Sequence, residues 1–97
     1  MKKLTTKQNK YLRKLGHSLA PTVIVADRGL VETVIAAIEE ALDVHELIKV
    51  KVRQQREQRT ETYAEICKKT GAEQVQTIGM VLLIYRASKP SKISLPR

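Results

Sequence analysis

The stretch Ile48-Lys49-Val50-Lys51-Val52-Arg53 alternates strictly between β-branched apolar and basic residues. A period of two belongs to a β-strand with one face on a core and one in water. Ile48, Val50 and Val52 therefore point inward, and Lys49, Lys51 and Arg53 form a wet, basic face. Upstream, Thr22-Val23-Ile24-Val25 is β-branched throughout and reads as a short buried strand. Between the two lie a tight connection, Ala26-Asp27-Arg28-Gly29, and a helix from about Leu30 to Leu42. That helix carries Val31, Val34, Ile35, Ile38 and Leu42 on one face and Glu32, Glu39 and Asp43 on another. A strand–helix–strand unit crosses over right-handed, so these two strands are predicted to run parallel.

Outward from this unit, Thr5-Thr6-Lys7-Gln8 has the pattern of a capping box, with Thr5 at the N-cap. The first helix is predicted to run to about Ser18, where Pro21 stops it. Leu4, Leu12, Leu15 and Leu19 form its apolar face, and Lys3, Lys7, Lys10 and Lys14 a separate stripe. A third helix, about Glu57 to Thr70, buries Tyr63, Ile66 and Cys67 and ends at Gly71, suited to a left-handed C-cap. Val75 to Ile78, Gly79, then Met80 to Arg86 reads as an antiparallel hairpin whose last strand, apolar on both faces, is central. The fold class is α/β: a single domain over residues 1–97, order α-β-α-β-α-β-β, with helices packed on a four-stranded mixed sheet. The tail 87–97, with Pro90 and Pro96, reads as extended.

Ninety-seven residues suffice for one modest core, and 42% hydrophobic with 29% charged residues is a globular composition. The longest apolar run, Met80 to Tyr85, is far too short to span a membrane. Polar residues Thr5 to Asn9 stand where a signal peptide needs its apolar segment, so a cytoplasmic location is expected. The single cysteine excludes an internal disulfide, and with only two histidines beside it the cysteine-rich zinc sites are excluded as well. No phosphate-loop signature, nucleophile elbow or paired carboxylates stand out, so a non-enzymatic chain without cofactor or metal is expected. His45-Glu46 leads into a strand and reads as a hydrogen-bonding turn.

The net charge of +8 points to a polyanion partner, nucleic acid or an anionic membrane surface. The charge is blocked. Residues 1–28 hold seven basic and one acidic residue, residues 29–48 hold no Lys or Arg, and basic excess returns at 49–59 and 86–97. The first helix has no Asp or Glu, which removes the usual i,i+4 salt-bridge explanation for the stripe of Lys7, Lys10 and Lys14; a stripe of this kind can track phosphates. The loop Ala26-Asp27-Arg28-Gly29 precedes a helix N-terminus, where free N–H groups favour an anion. Gly29 permits close backbone approach and Arg28 can fork onto a phosphate, whereas Asp27 repels one or serves as a helix cap. With only Tyr11, Tyr63 and Tyr85 as aromatics, base stacking is not the main mode.

Taken together, Leu4-Thr5-Thr6-Lys7-Gln8, Leu12-Arg13-Lys14-Leu15-Gly16-His17, His45-Glu46-Leu47-Ile48-Lys49-Val50-Lys51-Val52, Gln74 to Gly79, Leu83-Ile84-Tyr85-Arg86 and Lys92 to Arg97 resemble the bacterial YhbY family, the stand-alone form of the CRM domain (chloroplast RNA splicing and ribosome maturation). The resemblance implies a fold similar to the C-terminal domain of translation initiation factor three. It also implies RNA binding and association with precursors of the large ribosomal subunit during assembly. The family's G-x-x-G loop, similar to the KH-domain loop, corresponds here to Ala26-Asp27-Arg28-Gly29, with alanine in place of the first glycine. The expected RNA contacts are Lys7, Lys10, Lys14, Arg28, Gly29, Lys49, Lys51, Arg53 and Arg86, on a monomer that does not engage membranes. The alternatives are a regulator of other RNA or of DNA, and a protein-interaction module using the acidic second helix.

Overall fold

A computed structural model describes residues 4–96, so Lys3 of the lysine stripe and the terminal Arg97 lie outside the described residues. The elements are α1 (Thr6–Gly16), β1 (Pro21–Val25), α2 (Glu32–His45), β2 (Leu47–Val52), α3 (Arg56–Thr70), β3 (Glu73–Ile78) and β4 (Val81–Tyr85). The sheet order is β1-β2-β4-β3, with β1 parallel to β2 and both other pairs antiparallel. The predicted order, parallel unit and central last strand are all present.

Local signals explain the helix ends. The Thr5 Oγ1 accepts from the Gln8 N–H at 3.1 Å while Gln8 Oε1 accepts from the Thr5 N–H at 3.0 Å, a reciprocal capping box. Gly71 closes α3 at φ +73, its N–H bonded to the Cys67 carbonyl at 2.9 Å.

The sheet is covered on both faces. Helices α2 and α3 pack on one, over Val25, Ile48, Val50, Val52, Leu82 and Ile84, with Ile38, Leu42 and Ile66 facing them. Each of these side chains contributes about 1.5–3 kcal/mol by leaving water. Helix α1 and the C-terminal tail lie on the other face, over a smaller cluster of Leu12, Leu47, Leu83 and Tyr85 edged by Ile93 and Leu95. This second layer explains why β4 is apolar on both sides.

Two expectations change here. Leu15 and Leu19 are not core residues; both stay more than a third exposed. Helix α1 meets the sheet through Leu12 and Gly16 instead, and a Cβ on Gly16 would come within 2.7 Å of Leu83 Cδ2. The face bearing Lys49 and Lys51 is not fully wet, because α1 and its connection cross it. Lys49 is half-buried, and its Nζ donates to the Leu19 carbonyl at 3.0 Å. The tail is tied down, and the residue that ties it is Glu46.

Glu46 is the single residue between α2 and β2, and it takes a φ of +65. That conformation costs a non-glycine residue roughly 1–2 kcal/mol. Its carboxylate, fully buried, accepts from Ser88 N–H (2.7 Å), Ser88 Oγ (2.5 Å), Lys92 N–H (2.9 Å) and Ile93 N–H (2.7 Å). Burial pushes its pKa up, but the four donors outweigh burial and hold it at about 2. The hydrogen-bonding turn expected at His45-Glu46 is thus present, with the tail as its partner.

Candidate nucleic-acid interface

The register places three connections at one end of the sheet. Val25 pairs with Val52, and Lys51 pairs with Val81, so the loop after β1, the loop after β2 and the β3–β4 turn are neighbours. The contacts are direct: the Arg53 N–H donates to the Val25 carbonyl at 2.8 Å and the Val52 N–H to the Met80 carbonyl at 2.7 Å. Helices α2 and α3 both begin at this end. Their N-caps, Val31 and Gln55, make no side-chain capping bond, in contrast to α1. Two helix N-termini without side-chain caps leave N–H groups and positive dipole ends to solvent or a ligand.

The loop Ala26–Gly29 is a hydrogen-bonded turn, with the Gly29 N–H on the Ala26 carbonyl at 2.9 Å. Gly29 has φ +81, which glycine adopts without penalty. Asp27 does not cap α2, since Val31 occupies that position. Gln54 joins the loops. Its amide lies where a Cβ on Gly29 would approach Nε2 at 3.6 Å, its Oε1 accepts from Thr62 Oγ1 at 2.6 Å, and its carbonyl accepts from Arg59 Nη1 at 2.9 Å.

Arg28, Arg53, Arg56 and Arg59 therefore lie at the end of the sheet where α2 and α3 begin. Among the described residues the ion pairs are those of Arg86, so none of these four is neutralised by a carboxylate at bonding distance. Asp27, Glu32 and Glu57 share this end of the molecule and are exposed. Arg56 and Arg59 escaped the sequence reading because a helix pattern does not say which neighbouring loop an arginine meets. Their only signal was the excess of basic residues at 49–59.

From this end a basic track leads back toward α1. Lys51 and Lys49 follow Arg53 at two-residue spacing, about 6–7 Å per step, along the same sheet face. Beside them Ile24, Ile78 and Val81 leave that part of the sheet only partly covered. Lys7, Lys10 and Lys14 stand exposed on the outer side of α1.

Arg86 does not belong to this surface. Its guanidinium pairs with Glu39 (2.9 Å) and Asp43 (2.8 Å) and donates to the Thr70 carbonyl (2.7 Å), locking β4 to α2 and the end of α3. Four acceptors, the Glu39 carbonyl at 3.4 Å among them, engage its guanidinium in a structural role. The same bonds take up two of the carboxylates on which a protein-docking role for α2 would rest.

No cluster of three or more His, Cys, Asp or Glu that could hold a metal ion occurs among the described residues, and no described helix is long and apolar enough to cross a membrane. Burial, with the Glu73 carboxylate adding to it, pushes the Cys67 thiol up to about 11, so at neutral pH it is a protonated, unreactive thiol.

Four arginines and two helix N-termini at the carboxyl ends of two parallel strands make this end of a small α/β domain a candidate surface for anionic ligands. The CRS1/YhbY (CRM) domain profile matches residues 4–86, and the chain belongs to that family. A Haemophilus influenzae protein named "RNA-binding protein" is 49% identical over 98 residues, covering 100% of this chain and 99% of its own. A Bacillus subtilis protein, named "Probable RNA-binding protein", is 41% identical over 95 residues, 96% of this chain and 99% of that one. The solution structure of a Staphylococcus aureus protein superposes with a TM-score of 0.83 at 38% identity, covering 97% of this chain and all of that one. These relatives are named for binding, not for an enzymatic activity.

Proposed function

We propose that this chain is a non-enzymatic RNA-binding protein that recognises structured ribosomal RNA in precursors of the large ribosomal subunit and acts in their assembly, as a cytoplasmic monomer. The observation that carries the RNA reading is the placement of four arginines without ion-pair partners at the end of the sheet where two helices begin without capping side chains. The names of the relatives support the same reading. The ribosomal part rests on the family resemblance. Tyr63 and Tyr85 are buried, so no aromatic platform for splayed bases exists around the arginines. Phosphate and shape recognition of folded RNA fits this surface better than stacking on single strands.

Four to six phosphate contacts should give a log affinity against log salt slope of about 3–5 in magnitude. Competition between folded large-subunit ribosomal RNA and duplex DNA of equal length should favour the RNA at least tenfold. Equal competition would replace this reading with a general nucleic-acid binder, and a flat salt response would remove the phosphate surface altogether. Lys51→Glu should weaken binding several-fold with the melting temperature unchanged. Lys49→Glu should also lower stability, because Lys49 holds the Leu19 carbonyl.

A further inference from the structure

We propose that the cleft between α3 and the β3–β4 turn is a second phosphate site, which takes a backbone phosphodiester of the same RNA that lies on the Ala26–Gly29 loop. This inference rests on the RNA reading above and adds a site to it. The cleft has a volume of about 450 Å³, room for a phosphodiester with part of its sugars. Arg56, Arg59 and Thr60 line one wall from the first turns of α3, and Thr77 and Gly79 line the other. Residues three and four apart on a helix share a face, so both guanidinium groups and the Thr60 hydroxyl turn to the same side. No carboxylate lines the cleft.

Arg59 is held in position. Its Nη1 donates to the Gln54 carbonyl at 2.9 Å, and its charge acts on the Tyr63 hydroxyl, which itself donates to the Gly79 carbonyl at 2.9 Å. A half-buried guanidinium with neutral neighbours has unspent capacity for an anion, and a phosphate oxygen would complete it. Arg56, exposed and in no ion pair, can close on the same anion from the cleft mouth. The Thr60 hydroxyl is partly engaged, donating to the Arg56 carbonyl at 3.3 Å.

The site is continuous with the loop. Gln54 Nε2 lies 3.6 Å from where a Cβ on Gly29 would stand, and the Gln54 carbonyl holds Arg59. From the β1 end of the sheet to the β3–β4 turn is two to three strand spacings, roughly 10–15 Å, a span of a few nucleotides. An RNA strand crossing Gln54 reaches both positions.

The test uses the full chain and purified large-subunit ribosomal RNA. Arg56→Gln, Arg59→Lys and the control Lys68→Gln, in the last turn of the same helix, are titrated across a salt series and checked by melting curves. Arg56→Gln should lower affinity several-fold at one salt concentration and reduce the salt slope by about 0.7–0.9, the loss of one phosphate contact. Arg59→Lys keeps the charge but loses the fork, and should weaken binding with little change in slope. If Arg56→Gln and Lys68→Gln behave alike while wild type binds with a steep slope, the cleft site is overturned and the RNA reading stands. If wild type does not bind the RNA, both fall. Should Arg59→Lys lower the melting temperature, Arg56→Gln alone decides, since that side chain is exposed.

Discussion

Replacing Glu46 by glutamine tests how the C-terminal tail is held. The carboxylate accepts four hydrogen bonds from Ser88, Lys92 and Ile93, and its pKa is about 2 against an ordinary 4.5. That difference corresponds to about 3 kcal/mol of folding free energy. The folded-state pKa is the lower one, so this stability is fully present above pH 4.5 and is lost as pH falls toward about 2. In Glu46→Gln, one oxygen becomes an NH₂ group facing N–H donors, and the tail loses its anchor at every pH. A loss of about 3 kcal/mol in a domain of this size lowers the melting temperature by roughly 12–24 °C. Circular-dichroism melts of wild type and variant at steps from pH 7 to pH 2.5 measure both effects. The wild-type advantage should be largest at pH 7 and shrink below pH 4.5. A variant that melts within 3–4 °C of wild type at pH 7, or a difference independent of pH, would refute this assignment.

Arg86→Ala, which removes two ion pairs and a bond to the Thr70 carbonyl, should destabilise by about 2–3 kcal/mol in denaturant unfolding, with RNA affinity of the folded protein falling no more than in a Lys68→Gln control. Gly29→Ala should cost roughly 1–2 kcal/mol from its φ of +81, since Gln54 at 3.6 Å leaves space for the methyl group. Asp27→Lys should tighten RNA binding more than Glu40→Lys, and equal gains would show that net charge alone is felt. Cys67, with its pKa near 11, should react with thiol reagents at pH 7 at least tenfold more slowly than an unstructured cysteine, measured by mass spectrometry.

What the sequence made legible were features with a local physical cause. The alternation over Ile48–Arg53, the Thr5–Gln8 capping box and the glycine after Thr70 each act within a few residues, and each appears in the structure. The layer that covers each face was not legible. A period of two assigns Lys49 to the face opposite Val50, but only the path of α1 decides that Lys49 meets the Leu19 carbonyl. The tail anchor joins residues more than forty positions apart, and nothing near Glu46 announces its partners. Arg86 read as one more basic residue, because its partners Glu39 and Asp43 lie on a helix remote in the chain. At the candidate interface, Arg28, Gly29 and Arg53 were visible as a loop and a strand end. Arg56, Arg59 and the bridging Gln54 joined them only once the sheet register brought the loops together.

Ultraviolet crosslinking of the full chain to RNA in growing cells, with both the RNA sites and the crosslinked peptides mapped, tests the central claim most directly. Crosslinks should concentrate in large-subunit ribosomal RNA of immature particles and fall on the peptides that carry Arg28-Gly29 and Arg53 to Arg59. Crosslinks scattered over messenger RNA, or confined to α1 with none at the two loops, would contradict it.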